Sequence, residues 1–138
     1  MTPYRFLDHT ADLRIEVTAA GREALFVEAA RALFDICAGI ESIDVREYRE
    51  VSGSGDDFAE LFIDWLRELL YRFAAEGMLF SRFEIVSLSE TEIHARCGGE
   101  PFDPGKHEVR CEIKAVTYHG LEIIRRGETL AASVVFDI

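Results

Sequence analysis

Apolar residues along this chain recur with two periods, two residues in some stretches and about 3.6 in others, and the places where the period changes outline the elements. Leu13, Ile15 and Val17 alternate with Arg14, Glu16 and Thr18, which predicts a strand closed by Gly21. From Arg22 to about Cys37 the residues Phe26, Ala29, Ala30, Leu33, Phe34 and Cys37 share one helical face, and Gly39 stands where a C-terminal cap belongs. Residues 43–51 have mixed period and read as a strand or an irregular connector, running into a turn at Ser52-Gly53-Ser54-Gly55. Asp56 and Asp57 complement the N-terminus of a second helix. Its stripe of Phe58, Leu61, Phe62, Trp65, Leu66, Leu69, Leu70 and Phe73 closes at Gly77. A stripe that wide and aromatic suits an apolar cofactor or a partner helix, but packing on a sheet is its ordinary use.

Four further strands are predicted, centred on 83–88, 91–97, 109–117 and 121–124, with a last strand running from Glu128. In the third of these, Val109, Cys111, Ile113 and Ala115 form the core-like face and leave Lys114 and Tyr118 on the other, with His119 at the turn into the next strand. Between Cys97 and Val109 lies a loop rich in turn formers and a candidate for mobility. Its Gly98-Gly99 lacks the strand, helix and Lys-Ser/Thr context of a phosphate-binding loop. Strand, helices, then a run of strands describes an α+β fold. The expectation is one domain over residues 1–138, a two-layer sandwich of mixed or antiparallel sheet with two main helices.

Charge narrows the function. A formal net charge of −11, from 26 acidic against 15 basic residues, disfavours a stand-alone nucleic-acid binder, which needs clustered Lys and Arg. It suits a basic protein partner through electrostatic steering, and equally suits simple solubility. No apolar run reaches the roughly 20 residues of a membrane span, and the N-terminus lacks a signal-peptide core, so a cytoplasmic protein is expected. Cys37, Cys97 and Cys111 are odd in number and far apart in sequence, and read as buried small hydrophobes.

The candidate chemistry lies at the two ends. Asp8-His9-Thr10-Ala11-Asp12 precedes the first strand, and the last strand alternates to its final residues, Phe136-Asp137-Ile138. Asp12 and Asp137 supply hard carboxylate oxygens and Ile138 a terminal carboxylate or carbonyl, the ligand type a calcium- or magnesium-class ion takes. The competing reading makes these residues solvated turn and terminal groups, with Asp8 or Thr10 only organising a turn. Lys114 is a point charge for phosphate or carboxylate, and His9 and His119 are candidate ligands or proton carriers; singly, each is as well explained as a surface residue. No serine stands in a nucleophile-elbow context, so nucleophilic catalysis is the least supported class.

Taken together, Asp8-His9-Thr10-Ala11-Asp12, Glu112-Ile113-Lys114-Ala115-Val116-Thr117-Tyr118-His119 and Val135-Phe136-Asp137-Ile138, in this order and at this length, closely resemble the archease family over essentially the whole chain. The resemblance implies a cytoplasmic accessory protein, not itself an enzyme. It would promote guanylylation and multiple turnover of the GTP-dependent RNA-splicing ligase, meeting tRNA only through that ligase. It also implies a divalent-metal site, calcium-binding in family crystals and open to magnesium or manganese, on Asp12, Asp137 and Ile138, with Lys114 as the functional lysine and Asp8 a less firm match. Arg14 departs from the small residue expected beside that turn. Two rival readings are a stand-alone metal-dependent phosphoester hydrolase, using His119 for proton transfer, and a chaperone-like partner of tRNA-processing or modification enzymes.

Overall fold

The computed structural model describes residues 11–138. The elements run β1 (Asp12–Ala19), α1 (Arg22–Ala38), a 3-10 turn (Ile40–Ser42), β2 (Glu47–Ser54), α2 (Phe58–Glu76), β3 (Met78–Leu88), β4 (Glu92–Pro101), β5 (Ala115–Arg126) and β6 (Thr129–Asp137). They form two three-stranded antiparallel sheets, ordered β1-β6-β5 and β2-β4-β3, so the α+β class holds and every strand pairing is antiparallel.

Each helix packs on both sheets, α1 against β1 and β3 and α2 against β2 and β5, because each carries a broad apolar stripe. Phe26 meets Phe62 edge-on at 5.3 Å between the helices, and Phe34 meets Phe80 at 5.7 Å across to β3. The buried Trp65 indole N–H donates to the Phe26 carbonyl at 3.0 Å, so the largest core side chain leaves no donor unpaired. Asp57 caps α2 by accepting from the Glu60 N–H at 2.8 Å, while Glu60 reaches back to the Asp56 N–H at 2.7 Å. Helix arginines also satisfy carbonyls on the outer strands: Arg67 at Val116, Arg72 at Glu50 and Arg31 at Ser81. Such blocking discourages edge-to-edge pairing.

Several expectations change. Ser52-Gly53-Ser54 is not a turn: β2 starts at Glu47 and continues to Ser54, paired with β4 as far as Glu92. Gly53 lies instead at a close approach to α2, where a Cβ would stand 3.1 Å from the Asp64 carboxylate. Residues 121–124 are not a separate strand, and His119 is not at a hairpin turn. One strand, β5, covers both segments, its pairing with β6 jumping from Thr117 to Glu122. Gly120, at φ +80°, absorbs the extra residues as a bulge.

Residues 109–114 are not strand either. They cross the end of α1, with the Arg110 N–H on the Cys37 carbonyl at 2.8 Å, which leaves Val109 exposed while Ile113 is buried. Gly98 to Pro101 belong to β4 rather than to a loop, and Cys111 is only partly buried. Cys37 and Cys97 are core residues as expected, and burial pushes both thiols up to about 12.

The connection after β4 is pinned by a buried acid. Glu100, 2% exposed, accepts from Lys106 Nζ at 2.7 and 3.0 Å, the Asp44 N–H at 2.7 Å and His107 Nε2 at 3.1 Å. Burial alone would raise its pKa, but the hydrogen bonds from Lys106, Asp44 and His107 prevail and hold it at about 2.

Candidate metal centre

The first and last strands are neighbours. Antiparallel pairing of β1 with β6 places Asp12 directly opposite Asp137, and Ala115 of β5 flanks Asp137 on its other side. The end of the chain is held by backbone hydrogen bonds on both sides. Lys114 N–H donates to the Asp137 carbonyl at 2.7 Å, and Ile138 N–H donates to the Ala11 carbonyl at 2.9 Å. Alternating hydrophobicity accounts for this docking: Leu130, Ala132, Val134 and Phe136 of β6 are buried, and they draw the strand into the sheet up to its last acid.

Opposite residues of an antiparallel pair carry Cβ atoms about 4.5–5.5 Å apart, so two carboxylates in that relation compete. Asp137 is half-buried and Asp12 exposed. The Asp137 carboxyl titrates above its ordinary range, first through loss of solvent and then through the hydrogen bond and negative charge of Asp12. A shared proton or a bound cation relieves that conflict.

The donor chemistry fits a hard divalent ion: the two carboxylates of Asp12 and Asp137 are paired across the strands, with Ile138 next in the chain. Among the described residues no three His, Cys, Asp or Glu side chains converge on a metal position. Asp8 and His9 lie outside the described residues.

Lys114 touches this centre through its backbone N–H. Ala115 shares the face of Asp137, and Lys114, one residue earlier, lines a groove against α2 with Arg67, Leu70 and Tyr71. His119 is exposed in the β5 bulge, its N–H on Thr117 Oγ1 at 3.1 Å, and the Thr117–Val135 pair separates it from Asp137. The structure therefore unites Asp12, Asp137 and Ile138, sets Lys114 alongside, and leaves His119 apart.

Two features escaped sequence reasoning. The Glu100 cluster had no legible signal, because its partners are scattered from Asp44 to His107. The groove beside α2 did have one: Glu60, Asp64, Arg67, Tyr71 and Ala74 recur every three or four residues along the helix flank.

The Archease protein family model matches residues 4–138. The archease of Methanopyrus kandleri is 39% identical over 139 residues, covering 99% of each chain. An archease-like protein of Drosophila melanogaster is 35% identical, covering 98% of this chain and 90% of its own. Among solved structures, protein 1598 of Methanobacterium thermoautotrophicum superposes with a TM-score of 0.80 at 32% identity, over 96% of both chains. An archease of Thermotoga maritima, described as a possible chaperone, gives 0.70 at 27% identity over 100% of this chain and 99% of its own.

Proposed function

The chain belongs to the archease family, and from that premise we propose that it is an accessory protein of the GTP-dependent RNA-splicing ligase, acting in the cytoplasm and meeting tRNA only through that enzyme. Its role is to raise guanylylation of the ligase and sustain repeated turnover, and it performs no catalysis alone. The observation that carries the reading is the register that sets Asp12 against Asp137, with the Ile138 N–H held on the Ala11 carbonyl beside them. A protein partner is also in keeping with the description of the Thermotoga maritima relative as a possible chaperone.

Asp12 and Asp137 hold a calcium, magnesium or manganese ion in this reading, and Ile138 adds an oxygen. Bound there, a divalent ion offsets negative charge on nucleotide phosphates during nucleotidyl transfer. The protein's own contribution is positional. Backbone bonds from Lys114 and Ile138 fix the acidic end on a sheet rather than a loop. The Lys114 ammonium supplies a second, mobile positive charge for phosphate or for an acidic side chain of the partner. The excess of acid over base elsewhere steers the protein toward a basic RNA-binding enzyme.

The test is guanylylation and multiple-turnover ligation by the cognate ligase at fixed GTP and metal, with no addition, with the wild type and with Asp137→Ala. Stimulation that collapses in a still-folded variant is the expected result. Absence of stimulation with every divalent metal tried refutes the reading.

A further inference from the structure

The flank of α2 beside its core stripe faces the outer edge of β5, and the groove between them holds two depressions that share Arg67. Toward the start of α2 the groove is a depression of about 420 Å³ whose wall includes Glu60, Asp64 and Tyr118. Toward the end of α2 it continues as one of about 340 Å³ lined by Leu70, Tyr71, Ala74, Val116 and Lys114. Arg67 belongs to both and is anchored by its Nε–H on the Val116 carbonyl at 2.9 Å. From Glu60 to Ala74 the helix rises about 21 Å, the span of about six residues of extended chain.

The two ends have opposite character. Glu60 and Asp64 each use one carboxylate oxygen on a backbone N–H, of Asp56 and Ser54 respectively, and keep the other outside those bonds. Arg67 and Lys114 form no salt bridge among the described residues, although acids outnumber bases 26 to 15 in this chain and most of its other arginines are ion-paired. Beside them Tyr71 is 58% and Tyr118 48% exposed, an aromatic density typical of interfaces rather than of idle surface.

We propose that this groove is the docking surface for one extended segment of a partner protein. The segment is basic where it lies over Glu60 and Asp64. About three or four residues further on, it carries an acid flanked by an aliphatic or aromatic side chain, received between Arg67 and Lys114. Identifying the partner as the RNA ligase rests on the function proposed above; the groove and its polarity do not.

Ala74 and Ala75 are both exposed in the last turns of α2, but only Ala74 lines the groove. Ala74→Arg fills it and Ala75→Arg does not, and neither disturbs the core. Affinity for the cognate ligase should fall at least tenfold in the first variant and less than twofold in the second. A wild-type level of binding by Ala74→Arg overturns the proposal.

A second arm needs no ligase. A blocked seven-residue peptide with an arginine near one end and a leucine–aspartate pair near the other should shift the amide resonances of Arg67, Tyr71, Ala74 and Lys114. Control peptides with both charges acidic or both basic should bind at least tenfold more weakly. Equal binding of all three peptides overturns the polarity. GTP shifting the same amides, or a dimer of this chain abolished by Ala74→Arg, reassigns the groove and overturns the proposal. Failure of the wild type to bind the ligase defeats the accessory role alone, since the peptide titration still decides the groove.

Discussion

Replacing Glu100 by alanine removes the acceptor on which three donors from two separate parts of the chain converge. Its carboxylate receives Lys106, the backbone N–H of Asp44 and the His107 ring. His107 Nδ1 accepts the Asp103 N–H at 2.9 Å, so the ring proton sits on Nε2, pointing at Glu100 in a side chain with 0% exposure. Without Glu100 that donor has no partner, a loss of about 1–3 kcal/mol. Breaking a buried charge pair from one side costs about 3–5 kcal/mol, and the partial exposure of Lys106 favours the lower figure.

The titration leads to the same magnitude. Depression of the carboxyl from 4.5 to about 2, at roughly 1.4 kcal/mol per tenfold change in proton affinity, corresponds to about 3 kcal/mol. A group depressed in the folded state stabilises above its ordinary value and ceases to do so as pH falls through its folded value. The contribution is therefore complete above about pH 4.5 and lost toward pH 2. Melting at pH 7, followed by circular dichroism and Trp65 fluorescence, should show a drop of about 10 °C in Glu100→Ala, shrinking in acid. A loss below about 1 kcal/mol at pH 7, or one that does not diminish toward pH 2, refutes the reasoning.

The Asp12–Asp137 pair predicts the opposite pH dependence. Because the Asp137 carboxyl is raised by burial and by Asp12, chelator-treated protein should lose stability as pH rises through that raised value. Calcium should restore it, and Asp137→Asn should flatten the profile while abolishing the calcium effect, all readable as melting temperature against pH. At Gly99 a Cβ would fall on the Leu79 carbonyl, so Gly99→Ala should lose about 3 kcal/mol or more or fail to fold, as chemical denaturation will show. Asp57→Ala removes the side-chain cap of α2 and should cost about 1 kcal/mol in the same assay. Cys37 and Cys97, buried and with thiols at about 12, should resist a thiol reagent at pH 8 until the protein unfolds.

Local patterning determined much of this protein unaided. The periods of apolar residues located both helices to within a residue or two, with Gly39 and Gly77 closing them, because an amphipathic helix advertises its buried face in a single stretch of chain. The same holds for β1, whose alternation is visible in its burial, while β6 is recognisable as a strand although Ala131 and Val135 on its second face are buried too. The acidic ends were legible as ligand chemistry, and the whole-chain resemblance identified the family now shown by relatives of 32–39% identity.

What patterning could not decide is anything that depends on two distant segments at once. Gly53 and Gly120 look like turn formers, yet one permits close approach to α2 and the other takes up a bulge; only the neighbouring element distinguishes these uses of glycine. Glu100 reads as a loop acid until Lys106, His107 and Asp44 surround it. The candidate metal centre is the clearest case. Asp12 and Asp137 stand at opposite ends of the sequence, and only the antiparallel register of β1 on β6 makes them opposite neighbours on one sheet. Sequence sets the chemistry each segment carries, whereas their juxtaposition follows from burying one face of every strand against a shared core, which only the tertiary structure decides.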